Sequence, residues 1–316
     1  MHNWYQQPLP SVINSHTSTN ALWLKHSWVG DKQSEDAYRL LANQLKEFRV
    51  SDAFFHVGPL EGDGTITDDK YVYAKDLVDA MHRYYPELRV QAWMGQVEKM
   101  WGGPLDMSEP TVIKNILEES QYLMNLGFDG IHYNIEPIED GSITWITLLE
   151  EAHKITRMNG KVLSVATDDL EPFWGAEKFL KIFSKNISFW SKEYYKKVAE
   201  NVDQIAMMSY DTTLSEDYLY ANYVYIQTKN LINLLPQNTV VFMGVPTYED
   251  KRDNFHPNAE NIYSALFGIR KALQDMSKSG ILKREIGVAI YAEWTTDDKE
   301  WQFFKKHWIG EFLPKG

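Results

Sequence analysis

Three polar residues stand at every second position of an otherwise apolar segment: His132, Asn134 and Glu136. Side chains on a β-strand alternate between its two faces, so these three would share the face opposite to the apolar residues between them. Polar groups are costly to bury unless they bond to one another or serve a ligand. One such residue is best explained by structural hydrogen bonding. A row of three that ends in a glutamate indicates a functional site.

Further candidates follow the ends of the neighbouring apolar segments. They bring carboxylates, phenols and indole rings to one rim, and flat rings with a polar edge suit a sugar. Taken singly, each residue has a structural explanation, such as helix capping for an aspartate. Together they predict a glycan site. The candidates are His26, Trp28, His56, Trp93, Gln96, Trp101, Asp168, Asp169, Tyr210, Asp211, Tyr248, Glu249 and Trp294.

The elements that would position these residues are short apolar runs that alternate with helix-patterned stretches. Each run is apolar on both faces, which is typical of parallel strands covered by helices. Eight β–α units in 316 residues, with no Pro/Gly/Ser-rich linker, predict a single (β/α)₈ barrel over residues 21–316, preceded by an N-terminal extension over residues 1–20. A doubly wound open sheet is the alternative; it usually has fewer strands and a Gly-rich phosphate loop after the first. The predicted strands are Ala21–Trp28, Ala53–Val57, Arg89–Met94, Phe128–Ile135, Val162–Ala166, Gln204–Ser209, Thr239–Val245 and Ile286–Ala292.

Composition excludes several classes of function. The chain has 32 Lys and Arg against 44 Asp and Glu, a net charge of −12 that opposes binding to nucleic acid and to anionic lipid surfaces. It has no cysteine, which excludes disulfides, thiolate metal sites and cysteine nucleophiles. No stretch approaches the length of a membrane span, and residues 1–20 do not have the pattern of a signal peptide. The compartment stays open: extracytoplasmic or secreted if a leader has been removed, otherwise cytoplasmic.

Two local sequences and one tryptophan resemble glycoside hydrolase family 18, the chitinases and endo-β-N-acetylglucosaminidases. The family motif Asp-Gly-x-Asp-x-Asp-x-Glu on the fourth strand is matched by the segment from Asp129 to Glu136, which reads DGIHYNIE. Its Met-x-Tyr-Asp motif on the sixth strand is matched by Met208-Ser209-Tyr210-Asp211, and its tryptophan after the eighth strand by Trp294. Three matches in order span nearly the whole predicted barrel.

The resemblance implies hydrolysis of a β-glycosidic bond beside an N-acetylglucosamine residue, with retention of configuration. Glu136 would be the general acid and base, and the acetamido oxygen of the substrate itself would attack the anomeric carbon. Tyr210 would donate its hydroxyl to that acetamido group, Asp211 would add a polar contact, and Trp294 would form the floor of the sugar subsite. The partner would be an oligosaccharide or polysaccharide, and neither a metal ion nor an organic cofactor is required. The segment between the seventh and eighth strands is too short for the extra subdomain of many chitinases.

Two departures from the family motif affect this prediction. Asn134 occupies the place of the aspartate that normally orients the acetamido N–H and stabilises the cationic intermediate. An amide still accepts a hydrogen bond but carries no charge, so part of the electrostatic stabilisation is lost. His132 replaces another aspartate of the motif. We therefore expect a protein that binds its glycan but turns it over slowly.

Three alternatives remain at the level of sequence. The first is a chitinase-like lectin that has kept the groove and lost the reaction, as Asn134 would allow. The second is a retaining glycosidase with Glu249 as nucleophile, which requires the carboxyl groups of Glu136 and Glu249 to lie about 5–5.5 Å apart. The third is a zinc hydrolase built on His26, His56 and His132, although no ligand spacing supports it.

Overall fold

The structure, a computed structural model, describes residues 19–171, 189–250, 254–280, 284 and 286–310. Eight parallel strands close into a barrel in chain order, and β8 pairs with β1. The predicted (β/α)₈ barrel is thereby confirmed. The strands are β1 (Asn20–Leu24), β2 (Val50–Pro59), β3 (Arg89–Gln96), β4 (Gly130–Ile135), β5 (Val162–Thr167), β6 (Gln204–Met207), β7 (Val240–Pro246) and β8 (Ile286–Tyr291).

A helix follows each strand, and side chains satisfy the free N–H groups at the start of several helices. The caps are Ser34, Ser142, Ser191, Asn261 and Asp297. The helices are α1 (Glu35–Glu47), α2 (Ala74–Tyr84), α3 (Pro110–Leu126), α4 (Ile143–Met158), α5 (Lys192–Glu200), α6 (Asp217–Leu234), α7 (Ile262–Lys278) and α8 (Asp298–Phe304).

The apolar core has two parts. A large cluster fills the space between the strands and the helices, and a small cluster that includes Trp23, Phe54 and Phe242 fills the barrel interior. Strands with apolar residues on both faces are required for such an arrangement. The connection from Pro246 to Ile262 is too short for an inserted subdomain, as predicted. Among the helices of the described ranges, none is both long and apolar enough to span a membrane.

Charged side chains close the amino-terminal end of the barrel. Fully buried Asp52 accepts hydrogen bonds from Arg89, Gln91 and Gln204. Asp129, the residue before β4, accepts a hydrogen bond from the backbone N–H of Val90 at 3.0 Å and pairs with His82 at 2.7 Å. Because Asp129 lies at the end of β4 opposite to Glu136, we remove it from the catalytic set, and its place in the motif reflects a structural role.

The first strand is shorter than predicted. β1 ends at Leu24, and residues Ser27–Gly30 form a helical turn. The Nδ1 atom of His26 lies 3.0 Å from the backbone oxygen of His56, which draws the chain away from the extended conformation. Trp28 is consequently in a turn, where its ring packs against Tyr38 of α1.

Candidate active site

The polar row on β4 faces the barrel interior, as its alternation predicts, but His132 is part of the core. It is fully buried, its ring stacks on Phe54 with 3.7 Å between ring centroids, and Trp23 donates a hydrogen bond to its Nε2 atom at 3.1 Å. Because Nε2 accepts, Nδ1 carries the proton and donates to the Ser164 hydroxyl at 2.9 Å. Burial lowers the pKa of His132 to about 3, so it is neutral. His132 therefore leaves the catalytic set expected from the motif.

The next two residues of the row reach the open end of the barrel. Asn134 is 9% exposed, and its Nδ2 atom lies 3.5 Å from Oε1 of Glu136. Glu136 follows the last residue of β4, where the side chain is half-buried at the mouth. Burial, with the nearby negative charge of Asp211, raises the pKa of Glu136 to about 7. A carboxyl group with such a pKa can hold and release a proton near neutral pH.

The loop after β6 brings Tyr210 and Asp211 to the same mouth. Asp211 has a φ of 59°, a left-handed conformation that an aspartate tolerates better than most residues, and it accepts a hydrogen bond from Tyr248 at 2.7 Å. Thr212, the next residue, donates its backbone N–H to the buried carboxylate of Glu260 at 2.9 Å. The structure therefore brings Tyr210, Asp211 and Tyr248 together, and Glu260 holds the loop after β6 that carries the first two.

Tyr291, the last residue of β8, lies at the centre of the aromatic side chains around the mouth. Its ring centroid is 5.9 Å from that of Tyr210 and 5.7 Å from that of Trp294. It also contacts Trp23 and Trp93. Tyr291 is not among the site residues predicted from the sequence, although it lies two residues after Ala289 on β8 and so points to the same inner face.

Trp294, which the resemblance assigns to the floor of the subsite, lies elsewhere. It stands three residues beyond Tyr291, outside β8, and is 44% exposed. The hydroxyl of Thr247, just after β7, forms hydrogen bonds with the hydroxyls of Thr295 and Thr296. These bonds hold the turn that carries Trp294 against the end of β7. We therefore assign the floor position to Tyr291 and place Trp294 at the outer rim.

This assignment predicts a difference between two variants. We expect Tyr291→Ala to raise the Kd for N,N′-diacetylchitobiose by roughly thirtyfold, corresponding to about 2 kcal/mol of lost ring contact. Trp294→Ala is expected to have a smaller effect because half of its ring already faces solvent. Calorimetric titration measures both, with thermal unfolding and Tyr291→Phe as controls. A larger loss in Trp294→Ala would restore the assignment made from the sequence.

The other residues predicted to bind the glycan differ in where they lie and in how exposed they are. Trp93 lines the mouth, with its ring centroid 4.5 Å from that of His56. Trp101 is 45% exposed in the 3₁₀ turn Lys99–Trp101. Gln96 is engaged by the backbone: it donates to the oxygen of Leu60 at 2.6 Å and accepts from the N–H of Val97 at 2.8 Å. Gln96 therefore joins two loops and has little capacity left for a ligand.

Two of the alternative mechanisms lose their geometric basis. Glu249 is exposed, and its charge acts on Glu300 of α8. The carboxylates that interact with Glu136 are instead Asp211 and Asp168. For the zinc alternative, Trp23 and Ser164 occupy both ring nitrogens of His132. Across the described ranges, no group of three His, Cys, Asp or Glu side chains is arranged to hold a metal ion.

Three buried polar atoms near the mouth have no hydrogen-bond partner: Nε1 of Trp93, Oδ1 of Asn134 and Oδ2 of Asp168. The first is a donor and the other two can accept. Unpartnered buried atoms are uncommon in native proteins, and each costs about 1–3 kcal/mol. A donor and two acceptors without partners at this end of the barrel suit a ligand that both donates and accepts hydrogen bonds, as an amide does.

No family model and no curated protein matches the sequence. Solved structures do match: the Group IV chitinase of Ostrinia furnacalis has a TM-score of 0.60 at 13% identity, with 93% of this chain and 100% of that chain covered. The chitinase of Chromobacterium violaceum has a TM-score of 0.60 at 11% identity and 94% and 100% coverage. The spore cortex-lytic enzyme SleL of Bacillus cereus has a TM-score of 0.60 at 12% identity and 95% and 76% coverage. At these identities the similarity establishes a chitinase-like fold, in agreement with the resemblance seen in the sequence.

Proposed function

We propose that the protein is a retaining glycoside hydrolase that acts on glycans containing β-linked N-acetylglucosamine. The observation that carries the proposal is the Glu136 carboxyl group at the open end of the barrel, with its pKa raised to about 7 and the Asn134 amide beside it. A general acid must be protonated before the reaction and accept a proton after it, which this pKa permits at neutral pH. The catalytic barrel would comprise residues 21–316, with residues 1–20 as an extension.

In the first step, Glu136 gives its proton to the glycosidic oxygen and the bond from that oxygen to the anomeric carbon breaks. The acetamido oxygen of the substrate bonds to the anomeric carbon and forms an oxazolinium ion, as in glycosidases that use substrate assistance. Tyr210 supplies a hydroxyl to the acetamido group, and Asn134 accepts from its N–H. Water then attacks the anomeric carbon, its proton returns to Glu136, and retention follows from the two displacements.

The fold of the structural neighbours supports a carbohydrate substrate. The Ostrinia furnacalis chitinase has also been solved in complex with allosamidin, at a TM-score of 0.56 and 14% identity. The ring cluster around Tyr291 supplies apolar faces on which a sugar ring can stack. The net charge of −12 favours a neutral or cationic glycan over a polyanionic one.

A second candidate is a chitinase-like carbohydrate-binding protein with little or no hydrolysis. The observation in its favour is Asn134, which leaves β4 without a charged acceptor for the acetamido N–H. Such a protein would keep the Tyr291 ring cluster and its affinity for the glycan. It would release no reducing ends.

Proton NMR of the reaction with chitotetraose tests the proposed hydrolysis and its stereochemistry together. We expect the β-anomer of the newly formed reducing end to appear first and then to equilibrate with the α-anomer. Initial appearance of the α-anomer would contradict a retaining mechanism. Calorimetric binding without any product would instead establish the carbohydrate-binding alternative.

A further inference from the structure

We propose, on the basis of the proposed function above, that Asp168 is a second catalytic carboxylate, which supplies from β5 the negative charge that Asn134 lacks and shares one proton with Glu136. The role of Asp168 would be to accept the N–H of the substrate's acetamido group in place of Asn134, so that this part of the proposed mechanism moves from the amide to the carboxylate. Glu136 would retain its role toward the glycosidic oxygen.

The register of β4 and β5 puts Glu136 and Asp168 at neighbouring strand ends on the same side of the barrel. Gly130 pairs with Val162 and Tyr133 with Val165, an offset that is constant along both strands. The hydrogen bond between His132 and Ser164 shows that inward-facing side chains on the same rung meet. Glu136 and Asp168 keep the same offset, each one residue beyond the end of its strand, and the negative charge of Glu136 acts on Asp168. Neighbouring strands lie about 4.8 Å apart, so we infer that the two side chains lie near each other.

The alternation of β5 fixes the direction of Asp168. Thr167 and Asp169 face the helices, where they bond to Tyr195 of α5 and Tyr223 of α6. Asp168, between them, faces the mouth. The backbone N–H of Ile138, two residues after Glu136, donates to the Asp168 carboxylate, so the group is tied to the chain that carries the acid. Its Oδ2 atom is buried and has no partner.

The neighbouring amide and indole indicate which kind of ligand group would bond to the Oδ2 atom of Asp168. Asn134 and Trp93 are each more than nine-tenths buried, and their Oδ1 and Nε1 atoms have no partner. The contact from Nδ2 of Asn134 to Oε1 of Glu136 puts the Asn134 amide next to the acid. An acetamido group has one donor and one acceptor and can satisfy an acceptor such as Oδ2 together with a donor. Asp168 differs from Asn134 in that it can also carry a negative charge next to a cation.

Two buried carboxyl groups whose charges act on each other cannot both ionise easily. Burial and the Glu136 charge raise the pKa of Asp168 to about 8, and burial and the Asp211 charge raise that of Glu136 to about 7. The other titratable groups near Asp168 are Asp169, two residues after β5, and Tyr194 and Tyr195 on α5. At neutral pH the pair shares a proton, and an N–H donor at Asp168 favours the ionised form of that group and the protonated form of Glu136.

Substrate binding would therefore move the shared proton to Glu136, where the reaction needs it. Glu136 then protonates the leaving oxygen as the acetamido oxygen bonds to the anomeric carbon. The resulting oxazolinium N–H lies against the Asp168 carboxylate, which can take its proton to give a neutral oxazoline. Water attack delivers one proton to Glu136, and Asp168 returns the other to nitrogen as the ring opens to the amide.

The test compares Asp168→Asn with Asp140→Asn, a matched loss of charge at the same rim whose carboxylate bonds to Ser191. We expect Asp168→Asn to lower kcat on a fluorogenic diacetylchitobioside by about a hundredfold to a thousandfold with little change in KM, the size typical for one electrostatic partner of a transition state. Asp140→Asn should retain the native kcat. Asn134→Asp added to Asp168→Asn should restore most of the loss, because it returns the charge to β4. Asn134→Asp introduced alone into the native chain should change kcat much less.

Binding gives a readout that does not depend on turnover. Chitobiose thiazoline, a stable analogue of the oxazolinium, should bind the native chain more tightly than diacetylchitobiose, and Asp168→Asn should abolish that preference. If Asp168→Asn does not fold, Asp168→Glu keeps the charge and should retain part of the preference. Native turnover with no effect of Asp168→Asn would overturn this inference alone. A native chain with neither turnover nor a preference for the thiazoline would overturn the proposed function and this inference with it.

Discussion

Replacing Glu136 by glutamine is expected to lower kcat on chitotetraose by about 10³-fold while the glycan still binds, because glutamine keeps the shape of the side chain but has no proton to donate. General acid–base catalysis contributes about 10²–10⁴-fold. The middle of that range is expected because burial and Asp211 adjust the pKa of Glu136 to about 7, close to the pH at which it would act. Steady-state kinetics and calorimetric titration of the same variant separate the reaction from binding.

The pH profile of the native protein provides an independent check. Glu136 must be protonated to act as an acid, so kcat/KM should fall as the pH rises above about 7, and this limb should be absent from the residual activity of Glu136→Gln. Glu151→Gln serves as the control. Glu151 is exposed on α4, and the substitution removes its ion pair with Lys154. Glu249→Gln separates the two carboxylate mechanisms: a loss comparable to that of Glu136→Gln would revive Glu249 as the nucleophile.

Replacing His132 by leucine is expected to destabilise the fold by about 3 kcal/mol without a comparable loss of kcat, because it leaves the Trp23 indole and the Ser164 hydroxyl unpartnered in the barrel. The sign of its pH dependence also follows. The pKa of His132 is lowered to about 3 in the folded protein, against about 6.5 in an unfolded chain. Its contribution to stability is therefore complete above about pH 6.5 and is lost as the pH falls toward 3. Urea denaturation at several pH values measures both effects.

The matched control removes the partners as well. A triple variant with His132→Leu, Trp23→Phe and Ser164→Ala has no unsatisfied polar group at this site and should recover much of the stability, since replacing both partners of a buried hydrogen bond by apolar groups is far less costly than replacing one. A His132→Leu variant that stays fully stable but loses turnover would return His132 to the catalytic set.

Most of the barrel could be predicted from the sequence, because the existence and type of its strands depend on local patterns. Eight runs that are apolar on both faces can be buried only between an interior and a layer of helices. The ends of strands were less predictable, as β1 illustrates. Its apolar pattern continues to Trp28, but the contact of His26 with the distant backbone of His56 favours a helical turn. A long-range contact of that kind leaves no trace in local composition.

The candidate site was likewise predictable from the sequence only in part. The alternation in β4 predicts that His132, Asn134 and Glu136 face inward, and motif spacing predicts Tyr210 and Asp211. The alternation along a strand predicts which face a side chain points from, but not how deeply it lies in the barrel. His132 therefore looks equivalent to Glu136 in the sequence, although it lies in the core, and Asp129 belongs to the same motif but lies at the other end of the barrel.

The sequence by itself determined a parallel barrel, an inward-facing glutamate at the end of its fourth strand and an aromatic rim, because each depends on periodicity and residue type. Only the tertiary structure decided which side chains meet. It paired His132 with Trp23, put Tyr291 rather than Trp294 at the centre of the rings at the mouth, and placed the charge of Glu136 where it acts on Asp168. The reason is that barrel closure fixes the register between strands far apart in sequence, and the register determines which polar groups find partners and which remain for a ligand.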